Sequence, residues 1–195
     1  MSLYNRSDLQ TLSEQVQRSA VKSAPEILQK SFLNFSETKT YDIFLSHSYR
    51  DAPLILGLKQ DIESMGFSVY VDWVADAQLD RTKVTKATAS LLKIRMRSCK
   101  SLLFAHSINS QDSIWMPWEL GYFDGIKNGM VAVIPIAEVP TNDVYQGHEY
   151  LGLYYYVTKS PNTNHEQTLW VHDNKSSYID LKNWLLTGKQ PYVRS

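Results

Sequence analysis

The 195-residue sequence predicts an α/β fold: a mostly parallel five-stranded sheet with helices on both faces, preceded by a short helical arm. Two observations carry this. Compact apolar runs alternate along the chain with stretches whose apolar residues recur at helical spacing, the pattern of a parallel sheet covered on both sides. The composition, 43% apolar and 21% charged, is that of a globular domain.

The elements follow in order. In the segment SDLQTLSEQVQRSAVKSAPEILQKSFLNF, Leu9, Leu12, Val16 and Ala20 share a helical stripe, and Ser7 is a candidate cap. Pro25 interrupts the pattern, and a short second helix with Ile27, Leu28, Phe32 and Leu33 follows. The polar SETKT reads as a linker, which divides the chain into an arm at 1–40 and a main domain at 41–195. The arm either packs on the main domain or serves as an oligomerisation surface.

YDIFLS is the first strand of the main domain. Asp51 to Met65 is a helix with Leu54, Ile55, Leu58 and Ile62 inward, Pro53 in its first turn and Gly66 at its stop. FSVYVD is the second strand, Thr82 to Met96 a helix, SLLFA the third strand, Ile114 to Lys127 a helix and VAVIPI the fourth strand. YLGLYYYV reads as a fifth strand at an edge, and Tyr178 to Leu186 as the last helix. Ligands in such sheets bind beyond the carboxyl ends of the strands. Those ends carry SHSYRD, DWVADAQLDR and AHSINSQDS, with a helix starting just after the last.

A net charge of zero argues against nucleic-acid binding, which needs a basic face. Cys99 is the only cysteine, so no internal disulfide forms and a cytoplasmic setting is expected. No apolar run suits a membrane span or a signal peptide. The turn after the first strand has no glycine, so a Rossmann-type dinucleotide site is not expected. Phosphate-binding loop, nucleophile elbow and paired metal-ligating histidines are all missing, and no metal is expected.

The informative segment is SIWMPWELGYFDG. Trp115 and Glu119 lie one helical turn apart on one face. Pro117 is tolerated only in a first turn, which puts Glu119 near the helix start, where the dipole favours its ionised form. An indole beside a carboxylate suits a flat cationic ligand. Read alone, Glu119 is equally a surface or capping residue and Trp115 a core residue.

Together, YDIFLSHSYRD and SIWMPWELGYFDG resemble the first strand–loop and the Trp-x-x-x-Glu motif of Toll/interleukin-1 receptor (TIR) domains, in their bacterial standalone, Thoeris-like form. The resemblance is close over Tyr41 to Ile136 and looser to Leu186; the arm has no counterpart in it. It implies a flavodoxin-like TIR fold and an enzyme that cleaves the nicotinamide–ribose bond of NAD, releasing nicotinamide and ADP-ribose or a cyclic isomer in anti-phage defence. Glu119 is then the catalytic carboxylate. Trp115, Ser46, His47, Arg50 and Trp73 are candidates for substrate binding, with Arg50 suited to a phosphate. NAD is a substrate, so no cofactor is expected; the implied partners are further copies of the chain and a separate effector. Met116 and Pro117 depart from animal members and leave the carboxylate untouched.

Other assignments are plainer. Ser48 and Asp51 read as caps of the next helix, His47 as a hydrogen-bonded loop residue, and Asp80 and Arg81 as an exposed pair. Two further functions compete: a non-enzymatic TIR interaction module, and a glutamate-dependent enzyme of the nucleoside deoxyribosyltransferase type.

Overall fold

Successive side chains of a strand face opposite ways, so a sheet buried on both sides needs two cores. The computed structural model, which describes residues 1–72, 85–139, 145–147 and 149–193, has both. Its elements are β1 (Tyr4–Asn5), α1 (Arg6–Ala20), α2 (Ala24–Leu33), β2 (Tyr41–Ser46), α3 (Ala52–Ser64), β3 (Val69–Val71), α4 (Lys86–Arg97), β4 (Cys99–His106), α5 (Trp115–Lys127), β5 (Val131–Ala137), β6 (Tyr155–Pro161), β7 (Gln167–His172), β8 (Ser177–Asp180), α6 (Leu181–Thr187) and β9 (Tyr192–Val193). Ile43, Leu45, Leu103, Ala105, Ala132 and Ile134 face a core shared with α1, α2, α3 and α6. Phe44, Leu102, Phe104, Val131 and Val133 face a second core under α4 and α5.

The strand order is β3-β2-β4-β5-β6-β7-β8-β9. The five strands from β3 to β6 pair in parallel, as the alternating pattern predicts. The sheet then continues through β7, β8 and β9, all antiparallel, which the sequence reading did not place. The fifth strand also differs from expectation. Glu149–Leu153 forms a 3-10 turn, and β6 begins at Tyr155 inside the sheet rather than at its edge. Likewise the last helix starts at Leu181, capped by the Asp180 side chain on the Asn183 amide at 3.0 Å, while Tyr178 belongs to β8.

The arm packs on the sheet. Tyr4, Leu9, Ala24 and Leu28 are buried in the core of α3. Asn5, not Ser7, caps α1, accepting from the Asp8 amide at 3.0 Å. Ser23 and Glu26 form the start of α2 around Pro25, with the Ser23 amide and hydroxyl donating to the Glu26 carboxylate at 2.8 and 2.6 Å. α1 crosses α3 so closely that a side chain at Gly57 would drive into the Leu9 carbonyl. β1 pairs with the end of β5, and Ser2 bridges to Lys159 of β6 through backbone bonds of 3.0 and 2.9 Å. Below this segment Tyr4 donates to Asp61 at 2.7 Å, and Lys159 reaches the other oxygen of the same carboxylate at 2.6 Å.

Among the described residues no helix is long and apolar enough to cross a membrane.

Candidate active site

The site forms where β2 and β4 end beneath the start of α5. β2 delivers Ser46, fully buried, on the face that α5 covers, because Phe44 two residues earlier points into that core. α5 begins at Trp115, with Pro117 in its first turn, as expected. Its cap residue Ile114 offers no side-chain bond; the Ser113 hydroxyl accepts from the Met116 amide at 3.3 Å. Glu119 is the fifth helical residue, just past the first turn, and is 7% exposed. The Ser46 hydroxyl donates to its Oε2 at 2.6 Å. This bond fixes the carboxylate against the end of the sheet.

Trp115 is also buried and belongs to the core under α5. It meets Trp118 edge to face at 5.5 Å, and Trp118 stacks on Tyr122 at 5.6 Å. The tryptophan pair therefore holds the first turns of α5 down on the sheet. Trp118 was not singled out by sequence, although the W-x-x-W spacing is its signal.

The loop after β2 divides the remaining candidates. His47 is buried, with Nδ1 3.0 Å from the Leu45 carbonyl, the loop role expected for it. Arg50 is mostly exposed and pairs with Asp112. The Ser48 hydroxyl accepts from the Arg50 amide at 3.4 Å, a cap of the short turn Tyr49–Asp51. Asp51 corrects the reading that made it a cap. It gives the next helix no side-chain bond and instead accepts from Ser107 at 2.5 Å and Asn109 at 2.6 Å. Buried Asp51 thus ties the loop after β2 to the loop after β4. Trp73, with Asp80 and Arg81, lies outside the described residues.

Two further groups border the site. At the end of β3, Asp72 pairs with buried Arg95 and accepts from the Tyr70 hydroxyl at 2.8 Å. Burial, with Asp72 beside it, pushes the Tyr70 phenol far above its ordinary range. At the end of β4, His106 is half-buried, with Nδ1 2.8 Å from the Tyr145 hydroxyl. Burial, with Tyr150 adding to it, pushes the Tyr145 phenol up to about 12. The sequence reading passed over both residues, yet a histidine at the carboxyl end of a central parallel strand is a positional signal for a site.

No family model matches the chain. A protein of Bacillus cereus (strain MSX-D12) is 49% identical over 191 residues, which span 95% of this chain and 98% of that protein. This chain belongs to the same family, the Thoeris-type bacterial TIR proteins. The relative's name, assigned provisionally, is 3′ cyclic ADP-D-ribose synthase ThsB′. A second TIR relative, from Cytobacillus dafuensis, is 36% identical over 90 residues, 46% of this chain and 24% of its own length; it is named, also provisionally, cyclic ADP-D-ribose synthase TIR2. Within the TIR family the α/β fold with its parallel core is the expected one, and the carboxylate of the Trp-x-x-x-Glu motif lies at the carboxyl ends of the strands.

Proposed function

We propose that this chain breaks the nicotinamide–ribose bond of NAD and closes the ADP-ribosyl fragment on itself, releasing nicotinamide and a cyclic ADP-ribose, in Thoeris-type defence. The observation that carries the reading is the buried Glu119 carboxylate, oriented by Ser46 at the strand ends. The names of the two relatives support it.

The chemistry suits one carboxylate. The electron pair of the breaking bond leaves with nicotinamide, which departs as a neutral pyridine and needs no general acid; an ordinary glycosidase must protonate its leaving oxygen and so uses two carboxyls. Positive charge then grows on the ribosyl carbon. A fixed anion in a site shielded from water stabilises that charge without reorganising. A hydroxyl of the same molecule attacks the carbon to close the ring; water in its place gives linear ADP-ribose. The 3′ isomer is the one for which the Bacillus cereus relative is named.

In this reading Trp115 backs the site, His47 fixes the loop beside it, and Arg50 meets the pyrophosphate by exchanging its Asp112 partner. The substrate itself supplies the reactive cation, so the reaction as written uses no further cofactor. A separate effector reads the product. TIR self-association completes the enzyme, which makes specific activity rise with protein concentration; constant activity across a wide dilution series would contradict that part.

The test is chromatography of the products formed from NAD by the purified protein. Glu119→Gln lowers nicotinamide release about 10²–10³-fold. Equal release by wild type and variant would remove the carboxylate from the mechanism, and linear ADP-ribose alone would reject the cyclisation.

A further inference from the structure

Ring closure requires a proton acceptor. The attacking hydroxyl must lose its proton, and Glu119 is engaged with the charge on the ribosyl carbon. Water arriving from solvent passes its proton to more water, whereas a hydroxyl held inside the site has only the residues around it. The geometry points to His106, held by Tyr145, as the group that takes this proton, an inference that rests on the NAD-cleaving reading of the same site.

Ser46 pairs with Phe104 across β2 and β4. His106 is two residues beyond Phe104, so it projects from the same face of the sheet, about 7 Å further along and roughly 5 Å across from Ser46. That face is the one α5 covers with Glu119. Ser46 and Glu119 are buried and His106 is half-buried, so the imidazole is open in part to solvent where the carboxylate is not.

The ring is also held in place. Besides the 2.8 Å contact of Nδ1 with the Tyr145 hydroxyl, it meets the Tyr145 ring edge-on at 5.6 Å and the Phe104 ring at 6.5 Å. Tyr145 is itself packed on Tyr156 at 6.1 Å. A general base works only when its reach and its tautomer are fixed, and a partner on one ring nitrogen sets the role of the other. In the tautomer that this step uses, Nδ1–H donates to the phenol oxygen, which makes Nε2 the basic nitrogen. The Tyr145 phenol keeps its own proton at neutral pH and orients the ring rather than competing with it.

The step balances. The hydroxyl oxygen bonds to the ribosyl carbon, its proton moves to Nε2, and the imidazolium later returns that proton to water. The sum is NAD to nicotinamide, cyclic ADP-ribose and one proton. His106 is then a catalytic residue for closure, and Tyr145 a positioning residue that acts through it.

The test follows nicotinamide, cyclic product and linear ADP-ribose together, using the full chain and NAD. His106→Gln loses cyclic product about 10²-fold more than it loses nicotinamide release, with linear product in its place. Tyr145→Phe moves the partition the same way, by about tenfold or less. Added imidazole restores cyclic product to His106→Ala. An unchanged cyclic share in His106→Gln, or a parallel fall of both products, overturns the inference, while nicotinamide release by the wild type keeps the NAD-cleaving reading standing. A wild type that releases no nicotinamide overturns the NAD reading, and this inference with it.

Discussion

The parallel and antiparallel halves of the sheet treat their buried polar groups differently. At the carboxyl ends of β2 and β4, Ser46, His47, Ser48, Asp51, Ser107, Ser110 and Glu119 are all buried, drawn from the two loops and the start of α5. Their bonds run between loops and across to α5. In the antiparallel half, buried Thr158 and His172 meet each other at 2.8 Å inside the sheet, and the His172 ring meets those of Tyr156 and Tyr178 at 4.9 and 5.3 Å. Burying polar groups is costly unless they are satisfied. One half satisfies them as pairs in a scaffold. The other gathers them at one point and directs a carboxylate there, which is the arrangement a reaction needs.

Three substitutions probe this division, in order of expected effect. Trp184 is 1% exposed under the antiparallel strands. Trp184→Ala costs about 3–5 kcal/mol in urea denaturation while leaving nicotinamide release per folded molecule intact; a large loss of specific activity would show that the halves are coupled. Ser46→Ala does the reverse. It lowers the rate by about tenfold or more, at a stability cost of about 1–3 kcal/mol for the donor removed from a buried carboxylate. Full activity in that variant would detach Ser46 from the site. Arg50→Ala changes stability by less than about 1 kcal/mol, because its ion pair with Asp112 is exposed on both sides. Its effect belongs in KM for NAD, and an unchanged KM would leave Arg50 a surface ion pair.

The parallel half was legible in the sequence because its strands are buried on both faces and read as continuous apolar runs between amphipathic helices. QTLWVH and SYID gave no such signal. They are short, and the apolar Tyr178 and Ile179 run straight into Leu181, so strand and helix merge into one stretch. β1 spans two residues, too few for any period. At the site, helical spacing put Glu119 and Trp115 on one face, and the resemblance to TIR domains gave them their expected roles. The partners were not legible: Ser46 and Glu119 are 73 residues apart and His106 and Tyr145 39 apart, and only the packing of α5 and of the segment at Tyr145 over the strand ends brings them together. Asp51 looked like a cap because it stands before a helix, and its true partners come from a loop more than fifty residues later.

The bridge from Ser2 to β6 bears on how the chain assembles. Ser2 and Lys159 are 157 positions apart, yet they share a pair of backbone bonds. Tyr4 and Leu9 meet α3 without this bridge, but the bridge itself needs Lys159, and a contact so distant in sequence is among the slowest to close.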